Sequence, residues 1–142
     1  MPIRPPEYEQ AVNALTPKLH GLPGKIIAID GRDYSGKTTL GRFLAWYFNV
    51  SLIETDLFLL QDEGRTYRSQ DIRRIIGTRL AKPRPVIVEG VAIRRLLSHI
   101  SCAPDFLIYV KNAAFPGSDT LTAELSAYES MHNPEGSANL VS

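Results

Sequence analysis

The chain has 142 residues, with 16 Lys and Arg against 15 Asp and Glu, a net charge of +1 and 44% apolar residues. That length suits one domain with a central sheet covered on both faces, and the near-neutral balance argues against nucleic acid as a partner. No apolar run approaches a membrane span, the Met1-Pro2-Ile3-Arg4-Pro5-Pro6 start lacks the apolar core of a secretory signal, and the lone Cys102 excludes an internal disulfide or a cysteine-built metal site. The expected compartment is the cytoplasm.

In chain order, Pro6 to Leu19 reads as a short amphipathic helix. Pro6 suits its first turn, and Tyr8, Val12, Leu15 and Leu19 share one face. With Gly21-Leu22-Pro23-Gly24 closing it, residues 1–24 form a helix and linker appended at the sheet edge, ahead of a main domain at 25–142. Lys25 to Asp30 is an unbroken apolar run, suited to a strand buried on both faces. Leu40, Phe43, Leu44 and Tyr47 then recur at helical spacing over Thr38 to Phe48. Val50 to Thr55 is a second strand, and Leu60 to Ser69 a polar loop. Gln70 to Ala81 is a helix with Ile72, Ile75, Ile76 and Leu80 as its buried stripe, capped by Ser69 and stopped by Pro83 and Pro85.

Pro85 to Gly90 is the third strand, Ala92 to His99 a short helix, and Asp105 to Val110 the fourth strand. Asn112 to Asp119 reads as a loop, and Thr120 to Met131 as a helix with Leu121, Leu125 and Tyr128 facing inward. Asn133 to Gly136 turns the chain, and Leu140-Val141 is a brief fifth strand. Strand and helix alternate throughout, which predicts a three-layer α/β/α fold around a parallel sheet of about five strands.

The most informative stretch is Gly31-Arg32-Asp33-Tyr34-Ser35-Gly36-Lys37-Thr38-Thr39. Gly31 to Thr38 fits G-x-x-x-x-G-K-[ST], with an apolar strand before it and a helix after it. The glycines allow a tight turn, and loop N–H groups converge with the helix N-terminus on one point, a cradle for phosphates. Lys37 would reach the β/γ-phosphates and the Thr38 hydroxyl would meet Mg²⁺, so ATP or another nucleoside triphosphate with Mg²⁺ is the expected cofactor pair. Two further strands end in an acid, at Asp56 and at Glu89. Ligands of open α/β sheets sit beyond the carboxyl ends of the strands, which would bring both acids near Lys37 and Thr38. Phosphoryl transfer has use for both: one acid to hold the metal, another to take the proton of an acceptor hydroxyl. Glu54 is read as an ion-pair partner, and Asp30 as a structural residue beneath the loop.

Three pieces together, Ile29-Asp30-Gly31 through Thr39, Thr55-Asp56-Leu57-Phe58 and Val86-Ile87-Val88-Glu89-Gly90, resemble the uridine kinase family of P-loop nucleoside kinases. Phosphoribulokinases and pantothenate kinases share the pattern. The resemblance implies Asp56 as the base on the acceptor hydroxyl, Glu89 as a Mg²⁺ residue beside Thr38, and an acceptor pocket beyond the second strand near Phe58, Tyr67 and Arg68. The implied activity is phosphoryl transfer from ATP to a nucleoside or sugar-like hydroxyl. Asp33 within the loop is similar to the loop acid of thymidylate kinases, which touches the acceptor sugar; a nucleotide kinase is therefore an alternative, although Val-Glu-Gly stands where their Asp-Arg-Tyr would be. The family's lid arginines after the fourth strand have no counterpart, since neither Lys nor Arg follows Lys111. Arg65, Arg68, Arg73, Arg94 and Arg95 are the candidates to substitute; otherwise the chain is a minimal nucleotide-binding protein with little transfer activity. The basic run from Arg65 to Arg84 reads first as a solvated helix face and second as a site for an anionic acceptor. His20, His99 and His132 lack metal-ligand spacing.

Overall fold

The computed structural model describes residues 8–33, 35–60, 67–111 and 119–142, with the backbone alone over 119–123. Five strands, β1 (Ile26–Gly31), β2 (Ser51–Glu54), β3 (Val86–Glu89), β4 (Phe106–Val110) and β5 (Leu140–Val141), form one sheet in the order β2-β3-β1-β4-β5. Every neighbouring pair is parallel. The helices are α1 (Glu9–Leu15), α2 (Lys37–Phe48), α3 (Ser69–Ala81), α4 (Ile93–His99), α5 (Asp119–His132) and the one-turn α6 (Pro134–Ser137). None of the described helices is long and apolar enough to cross a membrane.

The layering follows from strand order. From β1 the chain runs past β3 to the edge strand β2, and all later connections run back the other way. Right-handed crossovers therefore put α2 on one face and α3, α4 and α5 on the opposite face. Side-chain alternation agrees in register. Ile27 pairs with Ile87 and Phe106, and all three join the core cluster of α1 and α2. Ala28 pairs with Val88 and Leu107, and these join the cluster of α3 and α4. The result is a three-layer α/β/α fold around a five-stranded parallel sheet, as the strand-helix alternation predicts.

Several local expectations shift. Residues 1–7, including Pro6, the segments 61–66 and 112–118 and the Leu121 side chain lie outside the described residues. The first helix ends at Leu15 because Pro17 cannot continue it, yet Leu19 stays buried. This helix is also part of the core rather than an edge appendage: Ala11, Val12 and Leu15 are buried with Phe106, Ile108 and Leu140, and the Tyr8 ring lies 4.9 Å from Phe43 of α2. It covers the half of the face that α2 leaves open on its way to β2. Ser69 does not cap α3 but begins it, with Arg68 at the N-cap and the Ser69 hydroxyl turned back to the Tyr67 carbonyl. Val50 to Thr55 shortens to Ser51–Glu54, because Thr55–Phe58 tightens into a 3-10 turn. The expected Asn133–Gly136 turn is the start of α6, entered through Asn133 in the left-handed region with Pro134 in the first turn.

Two glycines show how space shapes this frame. A Cβ on Gly41 would meet Leu52 Cδ1 at 3.2 Å and Glu89 Cγ at 3.5 Å, so its absence lets α2 lie close on β2 and β3. A Cβ on Gly90 would overlap the fully buried Thr55 hydroxyl. Gly77, by contrast, is exposed in the middle of α3 with nothing within 4 Å. Chemical denaturation should therefore separate two identical substitutions. Gly90→Ala is expected to lose about 1–3 kcal/mol through overpacking, and Gly77→Ala to gain roughly 0.5–1 kcal/mol from helix propensity.

Candidate active site

Neighbouring strands β1 and β3 send their following helices to opposite faces, so a crevice opens between their carboxyl ends. The loop from Gly31 to Thr38 lies at this point. Its turn closes with the Ser35 N–H donating to the Arg32 carbonyl at 3.2 Å, and Gly36, at φ 98°, feeds the chain into α2. A residue with a Cβ is strained at that dihedral. Gly31 has a different reason to be glycine: a Cβ there would sit 2.7 Å from both Ser35 Oγ and the Val110 carbonyl oxygen.

Lys37 is only 5% exposed, and its ammonium donates to the Arg32 carbonyl at 3.1 Å. Burial pulls its pKa down, against the opposing pull of Glu89, Asp56, Asp30 and Asp33 in that order. Glu89 is 1% exposed, and the Thr38 hydroxyl donates to its Oε1 at 3.1 Å. Burial pushes the Glu89 carboxyl up, opposed first by the Thr38 hydrogen bond and then by Lys37. Its other oxygen, Oε2, is buried without a hydrogen-bond partner among the described residues. A hydroxyl and a half-satisfied carboxylate beside the loop expected to cradle phosphates fit Mg²⁺, which is often held by one or two carboxylates together with substrate phosphates and water. No cluster of three or more His, Cys, Asp or Glu gathers among the described residues, so a dedicated all-protein cage is not what these residues build.

The parallel register explains which acid goes where. Glu89 is level with Ile29 on one side and Glu54 on the other, so it faces α2 as Ile29 does. Thr38 and Arg42, one helical turn apart on α2, meet these two glutamates: Thr38 bonds Glu89, and Arg42 pairs with Glu54 at 2.8 Å. Asp30 is one residue further along β1 and faces the other layer. It is 1% exposed and accepts from the Gly31 N–H at 2.8 Å, the Ile93 N–H at 3.4 Å and the Tyr128 hydroxyl. Burial raises its pKa even so. The adjoining Glu129 takes the Arg32 guanidinium at two points, 2.7 and 3.1 Å, and the Tyr109 hydroxyl at 2.9 Å.

The remaining predicted residues are spread along the rim. Asp56 is exposed in the 3-10 turn after β2 and acts on Lys37 and Glu89 through its charge. Asp33 is half-buried in the loop, Thr39 is exposed, and Tyr34 lies outside the described residues. The proposed acceptor residues divide between two clefts. Phe58 and Arg68 line an open groove of about 500 Å³ with Leu57 and Asp71. Tyr67 lines another, about 310 Å³, with Ser69, Val91, Arg95 and His99. Arg95 was singled out by sequence only as a lid candidate and His99 not at all as a pocket residue; their spacing one turn apart on α4 is the trace that places them together. Among the arginines considered for the lid, Arg94 donates to the His132 carbonyl and Ser137, Arg95 pairs with Glu124 at 2.7 Å, and Arg65 lies outside the described residues.

These features define a P-loop nucleoside-triphosphate hydrolase-like fold. Among solved structures the chain is similar to one described as "a possible uridine kinase" from Bacillus stearothermophilus, with a TM-score of 0.66 and 16% identity over 95% of this chain and 98% of that one. It is also similar to shikimate kinase from Acinetobacter baumannii in complex with shikimate, with a TM-score of 0.50 and 14% identity over 89% and 86% of the two chains. At such identities the likeness establishes the fold and singles out no one kinase family. No protein-family model matches the sequence, and no curated protein matches it.

Removing the Tyr128 hydroxyl tests the support beneath the loop. Tyr128→Phe leaves Asp30 with one donor fewer and should cost about 1–3 kcal/mol at neutral pH. The Asp30 pKa is already raised and would rise further. A raised folded-state value means stability that is present at acid pH and lost as pH rises through that value. The penalty is therefore expected to grow from acid to neutral pH, as read from denaturant midpoints across that range; a penalty independent of pH would contradict the assigned bond.

Proposed function

We propose that this protein is an ATP- and Mg²⁺-dependent kinase acting on a hydroxyl of a small acceptor, a nucleoside or sugar-like metabolite. One observation carries the reading: Lys37, Thr38 and Glu89 lie together at the strand-order crevice, with a carboxylate oxygen of Glu89 left without a partner among the described residues. The residues 31 to 39 cradle the phosphates through loop amides and the α2 N-terminus. Lys37 neutralises charge on the transferring group. Thr38 and Glu89 would hold Mg²⁺, which when bound would supply charge stabilisation to the phosphates. Asp56 takes the proton from the acceptor hydroxyl, and its exposure at the mouth of the crevice leaves room for that hydroxyl. Phe58 and Arg68, which share a groove, bound the acceptor with Asp33 at the loop, and Tyr67 contributes only if the acceptor extends toward its separate cleft. The two solved structures described above support this class of reaction, and the cytoplasm remains the proposed compartment.

A second reading follows from the arginines. Arg94 and Arg95 are engaged by α5 and α6, and no Lys or Arg follows Lys111. Loss of a positive finger costs about 10³–10⁵ in rate in related chemistry, so a nucleotide-binding protein with weak transfer is the competing proposal. The thymidylate-like alternative rests on Asp33 and on the basic run from Arg65 to Arg84.

Calorimetry with ATP-Mg, followed by phosphate transfer to a panel of nucleosides, sugars and nucleoside monophosphates, separates these. The kinase reading expects turnover in the parent, loss of ATP-Mg binding in Lys37→Ala, and retained binding with at least about 10²-fold slower transfer in Asp56→Asn. Binding without turnover on any acceptor favours the second reading, and unchanged binding in Lys37→Ala removes both. The pH dependence gives a separate check. Because the Glu89 carboxyl is pushed up, protons compete with Mg²⁺ at higher pH than for an exposed glutamate. ATP-Mg affinity should thus begin to weaken above the ordinary glutamate value of about 4.3 as pH falls, and Glu89→Gln should bind weakly with that dependence gone.

A further inference from the structure

Two consecutive residues of α5 reach the two residues that flank Gly31. Tyr128 donates to Asp30, and Glu129 accepts from Arg32. The Glu129–Arg32 contact is a fork: Nη2 to Oε1 at 2.7 Å and Nε to Oε2 at 3.1 Å. The Tyr109 hydroxyl of β4 donates to the same Oε2 at 2.9 Å, a third bond on the carboxylate. Both partners are partly sheltered, at 25% and 30% side-chain exposure. The Arg32 carbonyl in turn accepts both the Ser35 N–H, which closes the loop, and the Lys37 ammonium. The guanidinium of one residue is therefore anchored in the α5 layer while its carbonyl organises the phosphate cradle.

We propose that α5 clamps the phosphate loop through Glu129, making Glu129 a positioning residue that sets the Arg32 carbonyl and, through it, the Lys37 ammonium. The nucleotide consequence rests on the kinase or nucleotide-binding reading above; the clamp itself does not. A cradle of loop amides binds a polyanion well only if the loop is ordered beforehand, because ordering it on binding subtracts from affinity. Gly31 and Gly36 make this loop expensive to order by its own backbone preferences. A bidentate charged contact at its root supplies that order from outside the loop. Tyr109 matters in the same sense, since it restricts the carboxylate to the rotamer that meets Arg32.

The test is a mutant cycle of Glu129→Ala, Arg32→Ala and the double variant, read two ways. In ligand-free protein, amide exchange at Gly31 and Ser35 should quicken about three- to tenfold in Glu129→Ala, the range for a partly exposed charged hydrogen bond, while β3 amides keep the parent's rate. ATP-Mg affinity should weaken by a similar factor. Both effects should largely vanish when Glu129→Ala is made in the Arg32→Ala background, because the carboxylate acts through that guanidinium. Glu129→Gln, which keeps much of the shape without the charge, should fall between parent and alanine variant, and it serves if Glu129→Ala does not fold. Loop amides exchanging at the parent's rate, or effects that add fully in the double variant, would overturn the clamp. A parent that binds no ATP-Mg would sink the functional reading, while the exchange measurements would still decide the clamp.

Discussion

A single buried carboxylate, Asp30, joins the parts on which the site depends. It bonds the first amide of the phosphate loop, the first amide of α4 and the Tyr128 hydroxyl of α5. Those amides belong to chain ends that regular structure leaves unsatisfied, and Asp30 supplies the acceptor. Tyr128 accepts the Arg94 N–H as well, so two successive amides of α4 are met by one linked pair of side chains. The cost is a carboxylate whose pKa is raised by burial. Three hydrogen bonds offset that cost and hold β1, α4 and α5 in one geometry.

A one-residue offset then divides the acids by role. Glu89 is level with Ile29 and faces α2; Asp30 lies one step beyond and faces α4 and α5. In a pleated strand that step reverses the side chain, so one acid enters the crevice and the other supports it from below. Gly41 completes the arrangement by letting α2 approach closely enough for Thr38 to reach Glu89.

The crevice itself is polar against the usual logic of a core. Lys37 and Glu89 are both nearly buried, and burial shifts the pKa of each toward its neutral form. Among the described residues, the buried hydroxyls of Ser35 and Thr55 and Glu89 Oε2 have no hydrogen-bond partner. A fold selected for stability alone would fill such a place with apolar side chains. Groups of this kind beside the loop from Gly31 to Thr38 are what the proposed nucleotide and Mg²⁺ would meet, and they are the physical reason for that proposal. Arginine follows the opposite pattern: Arg32, Arg42, Arg94 and Arg95 are each held by an acid or a carbonyl of the protein's own structure.

Much of this was legible in the amino-acid sequence, for a local reason. The strand, phosphate loop and helix from Ile26 to Phe48 are contiguous, and their glycines, Lys37 and Thr38 have meaning at fixed spacing. The apolar run ending in Glu89 marked a strand end, whereas Asp56, expected at another, lies in the 3-10 turn beyond Glu54; alternation of strand and helix specified the layered parallel fold. Only the tertiary structure placed β3 between β1 and β2, drew α1 into the core, and joined Tyr128 and Glu129 to residues 98 and 97 positions away. Helix and strand periods leave a trace in sequence because each repeats over a few residues. A hydroxyl meeting a carboxylate across two layers has no period, and exists only once crossovers and register have brought the two together.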